Sequence, residues 1–191
     1  MTRNKPFAAI ILAAGKGTRM KSDVHKVLHP IAGRAMLDHL LGVVDGLAPE
    51  HKVVVLGSGR EQVQNLVDAR SGEIVVQEQQ LGTAHAVAQA EEKLGGFDGD
   101  ILILYGDTPL VEAETMSRML DRLNADDAPA IVVVGFRPKD PSAYGRIIVD
   151  GDDTIVKMVE YKDATPDERA VDLCNSGMMA VRAADLFPLL A

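Results

Sequence analysis

FAAIILAAGKGTRM, residues 7–20, decides the fold of this chain. Phe7–Leu12 is an unbroken apolar run, the pattern of a β-strand covered on both faces and not of a half-exposed one. It ends abruptly in Gly15 and Gly17, where the backbone can turn sharply. Ligands of open α/β sheets sit beyond the carboxyl ends of the strands, so this loop falls at the ligand-binding edge. Similar runs recur at KVVVLG (52–57), EIVVQ (73–77), DILILYGD (100–107) and AIVVVGF (130–136). Helical spacing fills the intervals: MLDHLLGVVDGL (36–47), EQVQNLVDAR (61–70), AHAVAQAEEKL (84–94, stopping before Gly95-Gly96) and ETMSRMLDRL (114–123). Strand–helix alternation predicts an α/β domain with a largely parallel sheet.

After Phe136 the rhythm changes. YGRIIVD (144–150), Gly151-Asp152-Asp153 and TIVKMVEY (154–161) read as a hairpin-like excursion, MMAV (178–181) as a return to the sheet, and Ala183–Leu190 as a further helix. No linker, repeat or low-complexity stretch divides the 191 residues, which reads as one domain over 1–191. The chain reaches Ala191 inside the last helical pattern without a cap, which reads as a domain truncated at its carboxyl end.

Charge narrows the function. The chain carries a net −8, yet residues 1–34 hold seven Lys/Arg against the single acid Asp23, a local +6 that leaves −14 for the rest. A basic island in an acidic body suits a compact anion better than a polymer and argues against nucleic acid, although by charge alone a solvated basic loop is the plainer reading. The apolar FAAIILAA after Arg3 and Lys5 is too short for a membrane span and leads into GKGTRMK instead of a cleavage region, so the expected location is the cytoplasm. One cysteine, Cys174, fits a buried thiol in a reducing compartment.

The loop itself is a candidate phosphate cradle. Glycine N–H groups, the Thr18 hydroxyl, the forked guanidinium of Arg19 and the point charge of Lys26 are what a triphosphate requires. Spacing excludes two familiar motifs. A dinucleotide fingerprint needs glycine where Met20 stands, and a Walker A loop needs Ser or Thr where Gly17 follows Lys16.

With Lys26 downstream, LAAGKGTRM resembles the signature of the sugar-phosphate nucleotidyltransferases. QLGTAHAV (80–87), LYGDTPL (104–110), AYGRIIV (143–149), VEYKDAT (159–165) and NSGMMA (175–180) follow in order. Over essentially the whole chain the set resembles the uridyltransferase domain of the bifunctional N-acetylglucosamine-1-phosphate uridyltransferase family. One departure is His25, where the wider superfamily has proline before the lysine.

The resemblance implies a Rossmann-like, GT-A-like three-layer nucleotidyltransferase fold with a largely parallel mixed sheet. It implies Mg²⁺-dependent uridylyl transfer from UTP to N-acetylglucosamine 1-phosphate for cell-envelope precursors. Arg19 and Lys26 are the expected catalytic cations. Leu12, Ala13, Ala14, Gly15, Gly17, Thr18, Lys26, Gln77, Gln80, Gly82 and Thr83 are expected on the nucleotide, and Tyr105, Gly106, Gly145, Glu160 and Asn175 on the sugar. Asp107, at the end of an apolar strand, is the expected Mg²⁺ ligand; the family's second ligand is an asparagine past the end of this chain. Acetyl transfer and homotrimer assembly belong in this family to a carboxyl-terminal repeat domain that has no counterpart in these 191 residues.

Plainer roles exist for several of these residues: Thr83 as a helix cap, Asp107 as a turn former before Thr108-Pro109, Gly145 as a turn glycine, and His29, His39, His51 and His85 as surface or helix-contact side chains. Two rival functions share the opening loop. One is the same chemistry with another nucleotide or sugar, and the other is a non-catalytic nucleotide-sensing domain.

Overall fold

A computed structural model describes residues 5–15, 17 and 20–190. The chain packs as two compact units, one formed by residues 1–132 with 179–191 and the other by residues 133–178.

In the first unit, β1 (Phe7–Ala13) is buried at every position, as its apolar run demands. It lies between β4 (His51–Leu56) and β6 (Asp100–Tyr105), parallel to both, and β5 (Glu73–Val76) pairs in parallel with β4. Met179–Arg182, the end of β10 (Cys174–Arg182), closes this order antiparallel to β6. The chain therefore builds outward from β1 to β4 and β5, then jumps back to place β6 on the other side of β1. That reversal is the topological switch point at which open α/β sheets bind ligands.

Alternation along the strands sorts the core into two faces. Ala8, Ile10 and Leu12 share one apolar cluster with Ala86 and Val87 of α3 (Thr83–Ala88), Leu94 of α4 (Glu91–Leu94), and Leu186 and Phe187 of α7 (Ala183–Leu190). Ala9, Ile11, Leu102 and Leu104 turn the other way and are buried too. The buried stripes of α1 (Met36–Gly46; Leu37, Leu40, Leu41, Val44) and α5 (Ala113–Leu123; Met116, Met119, Leu120, Leu123) supply the apolar surface for that side. Helix α2 (Arg60–Ala69) buries Val63 and Val67.

Two expectations are corrected. The 84–94 pattern does not form one helix: α3 and α4 are separated at Gln89-Ala90. There the N–H groups of Gln89 and Ala90 bond three residues back, to Ala86 and Val87, and the Gln89 amide turns onto the His85 carbonyl at 3.0 Å. The apolar run at 130–136 forms β7 (Ile131–Phe136) but no core strand, since none of its residues is buried and Ile131 is 42% exposed. β-branched residues suit a strand whether or not both faces are covered.

Between β1 and α1 the chain makes a short 3₁₀ turn (Lys26–Leu28) and a ribbon of β2 (Pro30–Ile31) and β3 (Arg34–Ala35), none of which the apolar pattern announces. The ribbon is tied to α1 by Arg34 on Asp38 and by His39 Nε2 on the Ile31 carbonyl at 2.9 Å. Arg70 also reaches Asp38 at 2.7 Å and bridges to Asp45, which holds Lys52. The Arg34 hydrogen bond, reinforced by Arg70 and opposed by burial, keeps the Asp38 carboxyl below its ordinary range.

The second unit holds the expected hairpin. β8 (Arg146–Val149) pairs antiparallel with β9 (Ile155–Val159), with a bulge at Ile148/Val149, and Cys174 pairs with Arg146. The turn is stapled by Asp150 Oδ1, which accepts the N–H groups of Asp152 and Thr154 at 3.0 Å each. Arg146 is only 1% exposed; its guanidinium donates to the carbonyls of Pro141 (2.7 Å), Tyr144 and Arg169, with Cys174 Sγ at 3.8 Å and the Tyr161 ring beneath it. A buried cation so held stitches the loop before β8 to α6 (Pro166–Ala170). Cys174 is buried, as expected.

Helix α6 opens with a capping box: Thr165 Oγ1 accepts the Glu168 N–H, and Glu168 returns to the Thr165 N–H at 2.8 Å. Lys157 lies 2.5 Å from the same carboxylate, and its hydrogen bond, ahead of the Thr165 N–H, lowers the Glu168 pKa to about 2. A carboxyl depressed in the folded state stabilises above its unfolded value and loses that contribution as pH falls. Carbon-detected NMR titration should therefore place the Glu168 midpoint near 2, and Lys157→Ala should raise it toward the ordinary glutamate range.

Candidate nucleotide site

Register builds the site. Leu12 pairs with Tyr105 at the carboxyl ends of β1 and β6, and the Gly106 N–H continues the ladder onto the Leu12 carbonyl at 2.9 Å. The loops leaving these strands are thereby side by side. Between them and the segment after β5 lies a cavity of about 300 Å³, at the lower end for small-molecule sites. Leu12, Ala13, Ala14 and Gly15 line it with Lys26, Gln77, Gln80, Gly82, Thr83, Tyr105 and Asp107. Eleven of the expected residues thus converge on one cavity, joined by Val27 and Ala86.

Others sit elsewhere. Gly17 packs beneath Lys26, where a Cβ would come within 2.6 Å of Lys26 Cβ. Gly106 backs onto Ala13 and Val27. Thr18 and Arg19 lie outside the described residues. Gly145, Glu160 and Asn175 belong to the second unit, where they meet one another: the Gly145 carbonyl accepts the Asn175 N–H at 2.9 Å, and a Cβ on Gly145 would lie 3.6 Å from Glu160 Oε1.

Lys26 Nζ forms an ion pair with Asp107 Oδ2, and both side chains stay about one-third exposed. Cation and carboxylate thus balance each other at the cavity while remaining open to solution. The single carboxylate fits a hard cation such as Mg²⁺, which takes most of its ligands from phosphate and water. It does not fit a closed Zn²⁺ site, and no group of three or more His, Cys, Asp or Glu able to hold a metal occurs among the described residues.

His25, standing where the resemblance expects proline, has a backbone angle that proline could share. Its φ of −55° is one that proline would adopt. The N–H that proline lacks is donated to Gln62 Oε1 at 2.9 Å, while Gln62 Nε2 donates to the Asp23 carbonyl at 3.2 Å. A side-chain amide on α2 thus clamps the two ends of Asp23–His25 and aims the next residue, Lys26. The His25 ring is buried, and neither of its nitrogens has a partner among the described residues. Desolvation, outweighing the attraction of Glu61, lowers its pKa and keeps it neutral.

The side of the cavity formed by the segment after β5 is held as tightly. Gly82 adopts φ 107° and ψ −179°, a region open essentially to glycine alone, so Thr83 is the first helical residue of α3 and not its cap. Gln77, 4% exposed, donates from Nε2 to the Gly82 carbonyl at 3.0 Å. Gln80 Nε2 donates to the Ala14 carbonyl at 2.6 Å, tying the loop after β1 to the segment after β5. Gly57 makes this possible, since a Cβ there would fall 2.6 Å from the Ala14 oxygen and 3.3 Å from Gln80 Nε2. Gln62 and Gly57 escape a reading by motif, because a lone glutamine on a helix and a glycine ending a strand carry no spacing signal.

Comparison with known proteins agrees with this architecture. Residues 9–151 match the MobA-like NTP transferase domain, and the chain belongs to that family. It is 65% identical over 188 residues to the bifunctional protein GlmU of Rhizorhabdus wittichii, covering 98% of this chain and 42% of that protein. It is 56% identical to the bifunctional protein GlmU of Zymomonas mobilis, covering 100% and 43%. The chain therefore spans about two-fifths of the length of these relatives. Two solved structures share the fold at 18% identity: UDP-glucose pyrophosphorylase complexed with UDP-glucose (TM-score 0.74; 97% of this chain, 79% of that one) and CMP:2-keto-3-deoxy-manno-octonic acid synthetase complexed with CTP (TM-score 0.72; 95% and 76%). Among the described residues, no helix is long and apolar enough to cross a membrane.

Gly57→Val should push the Ala14 carbonyl and Gln80 out of place and weaken nucleotide binding about tenfold, since one misplaced contact group costs about 1–2 kcal/mol. Calorimetric titration with nucleotide checks this, with the melting temperature as control.

Proposed function

We propose that this domain transfers a uridylyl group from UTP to N-acetylglucosamine 1-phosphate, releasing pyrophosphate and forming UDP-N-acetylglucosamine. The reading places it in the cytoplasm as the amino-terminal part of a longer bifunctional protein that trimerises through its remaining domain. The observation that carries it is the Lys26–Asp107 pair at a cavity walled by the cradle loop and two side-chain amides. The high identity to GlmU proteins supports it.

In the reaction, an oxygen of the sugar phosphate attacks the α-phosphorus of UTP. The bond to the bridging oxygen breaks, and pyrophosphate leaves with those electrons. A phosphate monoester is largely dianionic near neutral pH, because its second pKa is about 6, so the nucleophile arrives already deprotonated. The difficulty is to bring two anions together and to accept charge on the departing pyrophosphate; positioning and electrostatics do most of that work in phosphoryl transfer.

Lys26, released from Asp107, offers its ammonium to the triphosphate, and Arg19 is the second cation that the resemblance assigns to it. Asp107 is then free to hold Mg²⁺, which when bound neutralises and orients the phosphates. The backbone of Ala13–Gly15 lines the cavity, held by the Gln80 contact to Ala14. The resemblance assigns Tyr105 and Gly106 of the first unit to the sugar, and separately Gly145, Glu160 and Asn175 of the second, where the Glu160 carboxylate can accept hydrogen bonds from hydroxyls.

Initial rates of pyrophosphate release, with UTP, CTP, GTP and dTTP against several sugar phosphates, test the reading. UTP with N-acetylglucosamine 1-phosphate should lead, and a preference for any other nucleotide would overturn it. Lys26→Ala should lower kcat/KM about 10²–10³-fold, the usual cost of removing a charge-stabilising group. Asp107→Asn should remove most of the Mg²⁺ dependence.

A further inference from the structure

We propose that Arg169 is a positioning residue for the acceptor substrate: it staples the turn that opens at Glu160 and so holds that carboxylate in place for a sugar hydroxyl. The inference rests on the uridylyl-transfer reading, from which it takes Glu160 as a sugar contact, and adds what fixes it.

The turn is closed by the Asp163 N–H on the Glu160 carbonyl at 3.0 Å, which makes Tyr161 and Lys162 its two central residues. One side chain takes both of their carbonyls. Arg169 donates from Nε to the Tyr161 oxygen at 3.1 Å and from Nη2 to the Lys162 oxygen at 3.3 Å. A guanidinium is a planar fork with fixed donor directions, so gripping two consecutive carbonyls orients both peptides. The same group stands over the Tyr161 ring, 4.8 Å from its centroid, and Arg146 lies over that ring at 5.3 Å.

Arg169 is anchored in turn. The buried Arg146 donates to its main-chain carbonyl at 3.3 Å. Arg169 sits on α6, whose first turn is fixed by the Thr165–Glu168 capping box and by Lys157 of β9 on Glu168. The staple therefore joins the turn to β8 through Arg146 and to β9 through Lys157.

Glu160 is the opposite case. It is exposed, and its carboxylate has no hydrogen bond or ion pair among the described residues. It lies beside Gly145, where a Cβ would fall 3.6 Å from Glu160 Oε1, and the Gly145 carbonyl accepts the Asn175 N–H at 2.9 Å. An unengaged acceptor on a fixed turn suits hydroxyl recognition. Its lone pairs are available, and little backbone freedom is lost when the sugar binds. Without Arg169 the turn keeps its single closing hydrogen bond, and the ordering cost falls on binding.

Steady-state kinetics of the protein, with each substrate varied in turn, test the assignment. Arg169→Ala should raise the KM for N-acetylglucosamine 1-phosphate about tenfold and leave the KM for UTP within about twofold of wild type. Arg169→Lys replaces the fork by a point charge and should raise the sugar-phosphate KM about threefold or more; it decides the matter if the alanine variant does not fold. In a Glu160→Ala background Arg169→Ala should add less than about twofold, because it acts through that carboxylate. Equal rises in both KM values, or an effect as large in the Glu160→Ala background as in the wild type, would show a merely structural arginine and overturn the proposal. If Glu160→Ala itself leaves the sugar-phosphate KM unchanged, the assignment of Glu160 to the sugar falls, and this inference with it.

Discussion

The site rests on the parallel pairing of β1 with β6. These strands are neighbours in the sheet although four helices and two strands of the α/β core separate them along the chain, and their register sets Leu12 opposite Tyr105. Both are buried almost throughout, so a slip by one residue would turn each side chain to the wrong face. The register therefore aligns the two loops that leave the strands. This register brings the described ends of the two loops, Ala14-Gly15 and Asp107, to one cavity.

Around that frame the polar side chains divide into two kinds. Gln62, Gln77 and Gln80 spend amide groups on main-chain atoms of the loops they hold, at Asp23 and His25, Gly82, and Ala14. Each loop is fixed before a ligand arrives, which lowers the entropic cost of binding. Lys26 and Asp107 are instead paired with each other and remain partly open to solvent. Partly exposed ion pairs contribute little to stability, so exchanging this one for phosphate and cation costs the fold little. Rigid neutral donors with an exchangeable charge pair suit the nucleotide site proposed above.

Much of this was legible in the chain. The run at Phe7–Leu12, the cradle glycines and the strand-end Asp107 follow from period, turn chemistry and strand polarity, all local properties. The hairpin at 144–161 was legible for the same reason. The single helix read over 84–94 was not what forms, since the Gln89 amide competes for the His85 carbonyl and the turn tightens there. At His25, where the resemblance expects proline, φ is one that proline would adopt, and the N–H that proline lacks is donated to Gln62, 37 residues along the chain.

What the sequence by itself determined is the alternation of buried strands and amphipathic helices, and the residue types placed at the strand ends. These follow from burial and backbone conformation, which neighbouring residues dictate. Only the tertiary structure decided which polar atoms are already engaged. It ties Gln80 to Ala14 under the bare Cα of Gly57, holds Asp23–His25 by Gln62, and commits the Gln77 nitrogen to Gly82. Hydrogen bonds are directional and act over about 3 Å, so they depend on where distant segments come to rest.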